Sequence, residues 1–148
     1  MTYQIIAMTK EDYDEAYDIW KRCKGIGLSD ADERCAITKF LDQNPGLCYI
    51  ARQGSKLVGT ALTGSDSRRG YLYHLAVDPD LRQIGIGKAL VERSLQALKD
   101  QGIQKCHIMV YENNESGLAF WQQLGWKTRP EIVLMSFDLI AEGNESSC

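Results

Sequence analysis

The stretch VDPDLRQIGIGKAL, from Val77 to Leu90, has the residue types needed to hold a phosphate anion. An extended run ends at Asp78-Pro79-Asp80, a short loop follows, and glycines open an amphipathic helix. Gly85 and Gly87 carry no Cβ, so backbone amides there can approach a ligand closely. Those amides are the unpaired donors of a helix start, at the positive end of its dipole. A pyrophosphate suits such a place, with Arg82 and Lys88 flanking it in charge. Three phosphate patterns compete with a ligand-free tight turn. A P-loop requires Gly five residues before its Gly-Lys pair and Ser or Thr after the Lys; those positions hold Arg82 and Ala89. A dinucleotide fingerprint requires a further Gly where Leu90 stands. The pattern R-x-x-G-x-G is met by Arg82, Gly85 and Gly87. Taken alone it leaves both the phosphate cradle and the bare turn open.

The elements that must position this turn can be read along the chain. Tyr3–Met8 is expected as a first strand, with Thr9 as N-cap of a helix over KEDYDEAYDIWKRC that Gly25 and Gly27 end. A second helix is expected over Asp30–Leu41, then a turn at Asn44-Pro45-Gly46. Leu47–Arg52 and Lys56–Gly64 read as a hairpin around Gln53-Gly54-Ser55, and Gly70–Val77 as a further strand. Ile86–Gln101 carries the best amphipathic pattern, stopped at Gly102. A strand over Lys105–Tyr111, a helix over Glu115–Leu124 stopped by Gly125, and a last strand over Ile132–Leu139 complete the order. The pattern is α/β or α+β, with a largely antiparallel front half.

Length and composition bound the function. At 148 residues the chain reads as one domain over 1–141, followed by a polar tail over 142–148. A net charge of −3 supplies no basic field for a nucleic-acid backbone, so nucleic acid is excluded as the main partner. The five cysteines, an odd number without a CxxC pair, argue against a disulfide framework. With two histidines and no ligand spacing, no metal site is written. The N-terminal residues do not resemble a signal peptide, and no apolar run approaches the ~20 residues of a membrane span. A cytoplasmic protein without a membrane partner is the expectation.

Context narrows the reading of the glycine turn. YHLAVDPDLRQIGIG, Tyr73 to Gly87, resembles motif A of the GNAT acyltransferase superfamily: a fourth strand, a pyrophosphate loop and a third helix. NNESGLAFWQQLGW resembles the second signature of that family, with Asn114, Phe120, Trp121, Gly125 and Trp126 in its places. The element order matches over about residues 3 to 139, and DIWKRC with the run after it resembles the bacterial YpeA-type acetyltransferases. The resemblance implies the GNAT fold: a mixed, mostly antiparallel sheet of about six to seven strands, splayed between strands four and five, with about four helices.

It also implies a site and a co-substrate. Acetyl-CoA would lay its pantetheine arm along Leu75, Ala76 and Val77. Its pyrophosphate would be wrapped by Arg82, Gln83, Ile84, Gly85, Ile86, Gly87 and Lys88. Asn114 and Trp121 would meet the cofactor from the far side. Gln83 stands where relatives often have Gly. Trp121 stands where many have the Tyr that protonates the leaving thiolate; an indole N–H cannot give up its proton near neutral pH. Tyr111 or water could replace it, or the thiolate could leave unprotonated. Backbone amides near Leu75 and Ala76 are the candidates for the oxyanion. Tyr73 and Glu112, working through water, are the candidates for the base.

Strand alternation puts Tyr71, Tyr73, Leu75 and Val77 on one face, with Tyr71 and Tyr73 toward the acceptor, and Leu72, His74 and Ala76 on the opposite face. Asp30–Arg34 is expected to border the acceptor pocket. The implied reaction is direct transfer of acetyl to a primary amine in a ternary complex, by a monomer or homodimer. A protein N-terminal acetyltransferase and a non-catalytic acetyl-CoA-binding module are the alternatives.

Overall fold

The computed structural model describes residues 2–140. The chain divides after Met109 into two compact units. The first unit holds β1 (Gln4–Ala7), α1 (Tyr13–Arg22), α2 (Arg34–Gln43), β2 (Tyr49–Gln53), β3 (Lys56–Ser65), β4 (Gly70–Val77), α3 (Ile86–Asp100) and β5 (Cys106–His107). The strands form one sheet in the order β1-β2-β3-β4-β5. The first three pairings are antiparallel and β4 with β5 is parallel. Among the described residues, no helix is long and apolar enough to cross a membrane.

Helices cover both faces of this sheet, so β3 is buried on both. On one face, Ala16, Ile19, Trp20 and Cys23 of α1 and Ile37 of α2 pack on Ile50, Leu57, Leu62 and Ala76. On the other, Ile86 and Leu90 of α3 pack on Tyr49, Ala51, Val58 and Ala61. The approach of α3 is close. A Cβ built on Gly59 would lie 3.0 Å from Leu90 Cδ1 and 3.2 Å from both Ala76 O and Ile86 Cγ2. Glycine at 59 therefore lets the start of α3 sit directly on the middle strands.

Several expected elements differ, each for a physical reason. The first helix is preceded by a 3-10 turn, Lys10–Asp12, where the Asp12 carboxylate accepts from the Thr9 amide at 2.8 Å. The second helix is broken. Asp30–Asp32 is a 3-10 turn, Glu33 is extended at φ −65°, ψ 156°, and α2 begins at Arg34. Asp32 causes the break by folding its carboxylate back onto the Ser29 amide at 2.9 Å. The fifth strand is two residues long, because its ladder with β4 covers only Gly70–Tyr71 against Cys106–His107. Cys23, Cys48 and Cys106 are free.

The second unit contains α4 (Glu115–Gln123). Its end is a Schellman motif: Trp126 N–H donates to Trp121 O at 3.0 Å, and Gly125 N–H to Gln122 O at 3.0 Å, with Gly125 at φ +95°. The hydrophobic contact of that motif is Trp126 against Trp121, with ring centroids 5.0 Å apart. No strand forms over Ile132–Leu139, so among the described residues the sheet has five strands where six to seven were expected. Ile132 to Met135 are apolar, and Phe137 and Leu139 alternate with Ser136 and Asp138, but among the described residues no ladder holds the segment and its apolar side chains are exposed. The 142–148 tail lies outside the described residues.

Asp78 secures the exit from β4. Its side chain is 1% exposed. It caps the 3-10 turn Pro79–Leu81 by accepting from Asp80 N–H at 3.0 Å, and it meets Arg22 and Lys56 at 3.4 Å each. Burial pushes its carboxyl up. The Asp80 amide and the Arg22 and Lys56 charges outweigh burial and hold it below the ordinary carboxylate value. Asp78→Ala is expected to cost about 2 kcal/mol from the lost cap and the cations left without a partner. The contribution is complete above the unfolded-state value near ~3.9 and fades as pH falls through the lower folded value. Melting curves of the two proteins should therefore differ at pH 7 and converge in strong acid; a constant gap would assign the loss to packing.

Candidate active site

The loop after β4 has the form expected for an anion cradle. Gln83 and Gly85 both take left-handed backbone, at φ +68° and +92°. That explains a preference for glycine at position 83 and shows that Gln83 carries the conformation without it. Gly85 is the N-cap of α3, and its carbonyl accepts the first helical bond, from Ala89 N–H at 3.0 Å. The amides of Gly85, Ile86, Gly87 and Lys88 then have no carbonyl partner within the helix. Tyr3 Oη ties the loop to the start of the chain by donating to Gly85 O at 3.2 Å. Arg82, Gln83, Ile84, Gly85 and Lys88 are exposed, while Ile86 is buried and anchors the turn. Arg82 Nε donates to Val77 O at 3.4 Å, and Lys88 lies 3.9 Å from Glu92.

The strand before that loop departs from simple alternation. In the β3–β4 register Thr60 faces Ala76, and the next pair is Leu62 with Tyr73. His74 and Leu75 therefore stand opposite the single residue Ala61, a β-bulge. His74 is its left-handed residue, at φ +49°. The bulge shifts the phase of the strand. Tyr73 and Ala76 belong to the core beneath α1 and α2, while Leu75 and Val77 join the core beneath α3. The expectation that Tyr73, Leu75 and Val77 share one face is thus overturned. So is the placement of His74 on the face away from Tyr73. Its ring packs against Trp20 of α1, with centroids 4.8 Å apart.

Three neighbours fix His74. Its Nε2 lies 2.5 Å from Asp32 Oδ1. Its carbonyl accepts from Thr60 Oγ1 at 2.8 Å, and that hydroxyl accepts from Trp20 Nε1 at 2.9 Å. Asp32 is itself held at both ends. Its other carboxylate oxygen accepts from Ser29 N–H, and its carbonyl accepts from Tyr13 Oη at 2.7 Å. The side chains of His74 and Asp32 are 15% and 9% exposed. Sequence reasoning missed this pair. Its only trace was the placing of residues 30 to 34 beside the acceptor.

Tyr71 and Tyr73 do lie together, stacked with centroids 6.5 Å apart; Phe40 of α2 meets Tyr73 and His107 meets Tyr71. Burial, then the neighbouring Tyr71 and Cys106, pushes the Tyr73 phenol up. Tyr73 thus holds its proton at neutral pH and is no general base by itself. Burial also pushes the Cys106 thiol up to about 11, which leaves it a poor nucleophile.

Two features of the second unit bear on its expected roles. Asn114 is the N-cap of α4, its Oδ1 accepting from Gly117 N–H at 3.0 Å, so only its amide N–H₂ is left to reach a ligand. Tyr111 and Glu112 are exposed on the approach to that helix.

The sequence profile of the Acetyltransferase (GNAT) family matches residues 13–126. The chain belongs to the GNAT acetyltransferase family. An acetyltransferase of Pectobacterium atrosepticum is 30% identical over 131 residues, covering 88% of this chain and 92% of its own. The ribosomal-protein-S18-alanine N-acetyltransferase of Escherichia coli superposes with a TM-score of 0.70 at 25% identity, over 84% of this chain and 77% of that one. The PaiA N-acetyltransferase of Thermoplasma acidophilum, solved in complex with coenzyme A, gives a TM-score of 0.78 at 20% identity, over 87% and 92%. The last likeness is one of fold alone.

Membership makes this GNAT protein an acetyltransferase by class, and the left-handed loop is the part of motif A that the backbone must hold in shape. A Cβ at Gly85 has room, since its nearest neighbour is Tyr3 Oη at 3.6 Å. Gly85→Ala therefore isolates the backbone cost, about 1 to 2 kcal/mol. A fall in melting temperature of roughly 3 °C per kcal/mol should be measured by calorimetry; an unchanged melt would mean that the loop relaxes freely.

Proposed function

We propose that the protein transfers the acetyl group of acetyl-CoA to a primary amine by direct attack in a ternary complex. The observation that carries this reading is the open edge of β4. Its ladder with β5 ends at Tyr71, so among the described residues Leu72 to Val77 have no strand beside them on that side. A pantetheine arm has amides that can occupy such an edge as a strand would, along Leu75, Ala76 and Val77. The loop from Arg82 to Lys88 begins five residues later, with Arg82 to Gly85 and Lys88 exposed. Coenzyme A in the Thermoplasma acidophilum relative supports the choice of donor.

Transfer then follows from the chain's own groups. Atoms displaced by a bulge leave ladder donors without partners. The amides at Leu75 and Ala76, beside the bulge, are suited to the oxyanion of the tetrahedral intermediate. Such donors are worth about 3 kcal/mol each. The amine nitrogen forms the new bond to the carbonyl carbon, the C–S bond breaks, and the thiolate leaves toward solvent. A thiol held protonated at Cys106 favours direct attack over a covalent acyl-cysteine.

Tyr71 and Tyr73 line the acceptor side, where a protonated Tyr73 offers a hydrogen bond. A peptide α-amine is the second reading for the acceptor, favoured by the likeness to the Escherichia coli enzyme that modifies a ribosomal-protein alanine.

Calorimetry with coenzyme A and a thiol-release assay over a panel of amines and short peptides test the proposal together. Binding without thiol release from any acceptor would leave a binding module, and absence of binding would end the reading. Tyr73→Phe is expected to lower turnover about fivefold, the worth of one hydrogen bond, with coenzyme A affinity unchanged. Unchanged kinetics would remove Tyr73 from the reaction.

A further inference from the structure

We infer that His74, oriented by Asp32, is the group that takes the proton from the attacking amine. The inference rests on the acetyl-transfer reading above and gives that site its base.

Geometry selects the ring atom. A carboxylate only accepts hydrogen bonds, so the 2.5 Å contact with Asp32 Oδ1 puts the hydrogen of a neutral imidazole on Nε2. The lone pair is then on Nδ1, which makes no hydrogen bond among the described residues. An aspartate that fixes the tautomer and stabilises the imidazolium is the arrangement that lets histidine act as a base. Asp32 has no freedom to follow another partner. Ser29 N–H and Tyr13 Oη hold it from the α1–α2 connection and from α1.

Position agrees with the role. The bulge that displaces the ladder at Leu75 is the same one that turns the His74 ring to the Tyr73 side of the sheet. Base and oxyanion donors thus sit on neighbouring residues, aimed by one backbone irregularity. Left-handed backbone at a non-glycine residue is uncommon, and it persists only where surrounding contacts over-determine it. Here Thr60, Trp20 and Asp32 do so. Packing alone would need neither a titratable ring nor an acid pinned to one of its nitrogens.

The charged and titratable groups around the ring are few. Asp32 faces it from the α1–α2 connection. Tyr13 and Tyr17 stand in the same α1 aromatic cluster as Trp20. Arg34 of α2 lies over the Tyr13 ring and pairs with Asp14. Tyr73 is its neighbour on β4. Among the described residues, Asp32 is the one anion in direct contact. On the way to the amide, an ammonium loses two protons. The first passes to Nδ1, directly or through one water, before the nitrogen attacks, and is then released to solvent. The second leaves the tetrahedral nitrogen as the C–S bond breaks and ends on the thiolate through solvent.

His74→Gln and Asp32→Asn test this in the full chain, with coenzyme A calorimetry as the measure of folding. His74→Gln is expected to lower kcat about 100- to 1,000-fold with coenzyme A affinity within twofold. It should also remove from the kcat/KM profile an ionisation between about pH 5 and 8, so that the rate follows the free-amine fraction alone. Asp32→Asn should lower kcat by about tenfold and displace that ionisation rather than abolish it. Turnover of His74→Gln within threefold of the natural protein, with the ionisation intact, would overturn the inference.

Nitrogen-15 NMR of the imidazole reads the pair whether or not an acceptor is found and whether or not His74→Gln folds. The neutral ring should carry its hydrogen on Nε2 and titrate reversibly. A ring protonated on Nδ1 when neutral, or one that does not titrate between pH 5 and 9, overturns the role. A natural protein that binds no coenzyme A, with the ring behaving as stated, would instead count against the transferase reading.

Discussion

Two residues of β4 against one of β3, at His74 and Leu75, set the geometry on which the rest of the site depends. A regular strand would alternate from Tyr71 to Val77 and send His74 to the α3 side. With the extra residue, the first part of the strand serves the core beneath α1 and α2, and Leu75 and Val77 serve the core beneath α3. One side of the bulge therefore offers an aromatic wall, Tyr71 and Tyr73, and the other offers an edge that ends in the phosphate-type loop. Without this phase change the strand could not contribute side chains to one face and an anchored exit to the other within eight residues.

The bulge is held by a chain of buried polar contacts rather than by glycine. Trp20 donates to Thr60, Thr60 donates to the His74 carbonyl, and the His74 ring meets Asp32. Each buried polar group left unmatched would cost about 1 to 3 kcal/mol, so the members stand or fall together. The same logic appears at the other end of β4, where Asp78 joins the turn to α1 and β3 through Arg22 and Lys56. Gly59 then admits α3 close enough for Ile86 to be buried while the amides ahead of it stay open. Loop, strand exit and helix are thus placed by contacts on both sides of the sheet.

Much of this was legible in the sequence, and the failures have a common form. Helical periodicity located α1 and α3, and the glycine turn at 82–88 was read as the opening of a helix, which begins at Ile86. Gly125 was read as a stop, and it closes the Schellman motif. What could not be read were features made by one residue acting at a distance. Tyr73-His74-Leu75 contains no glycine to announce a bulge, so alternation was carried through it and His74 was put on the wrong face. Asp32 was counted as a helical residue because nothing local shows that its carboxylate will turn back to Ser29 and across to His74. The apolar segment Ile132–Leu139 was read as a strand, but a strand is defined by a partner, and composition alone does not supply one.

The absence of a phenol at position 121 fits the energetic demands of the reaction. With a thiol pKa near 8.5, releasing a thiolate at pH 7 costs only about 2 kcal/mol relative to the thiol. With an amine pKa near 10.4, stripping a proton from the ammonium costs about 4.6 kcal/mol at the same pH. The base therefore has more to contribute than the acid. The proposed assignment follows that order. Trp121 clasps Trp126 to end α4, a role for which an indole offers more contact than a phenol. His74, in contrast, is fixed at its ring, its carbonyl and its backbone angle, and its partner acid is fixed in turn. On the proposed assignment, a site that can spare its acid but not its base would concentrate its rigid contacts around His74, where those to Asp32, Thr60 and Trp20 lie.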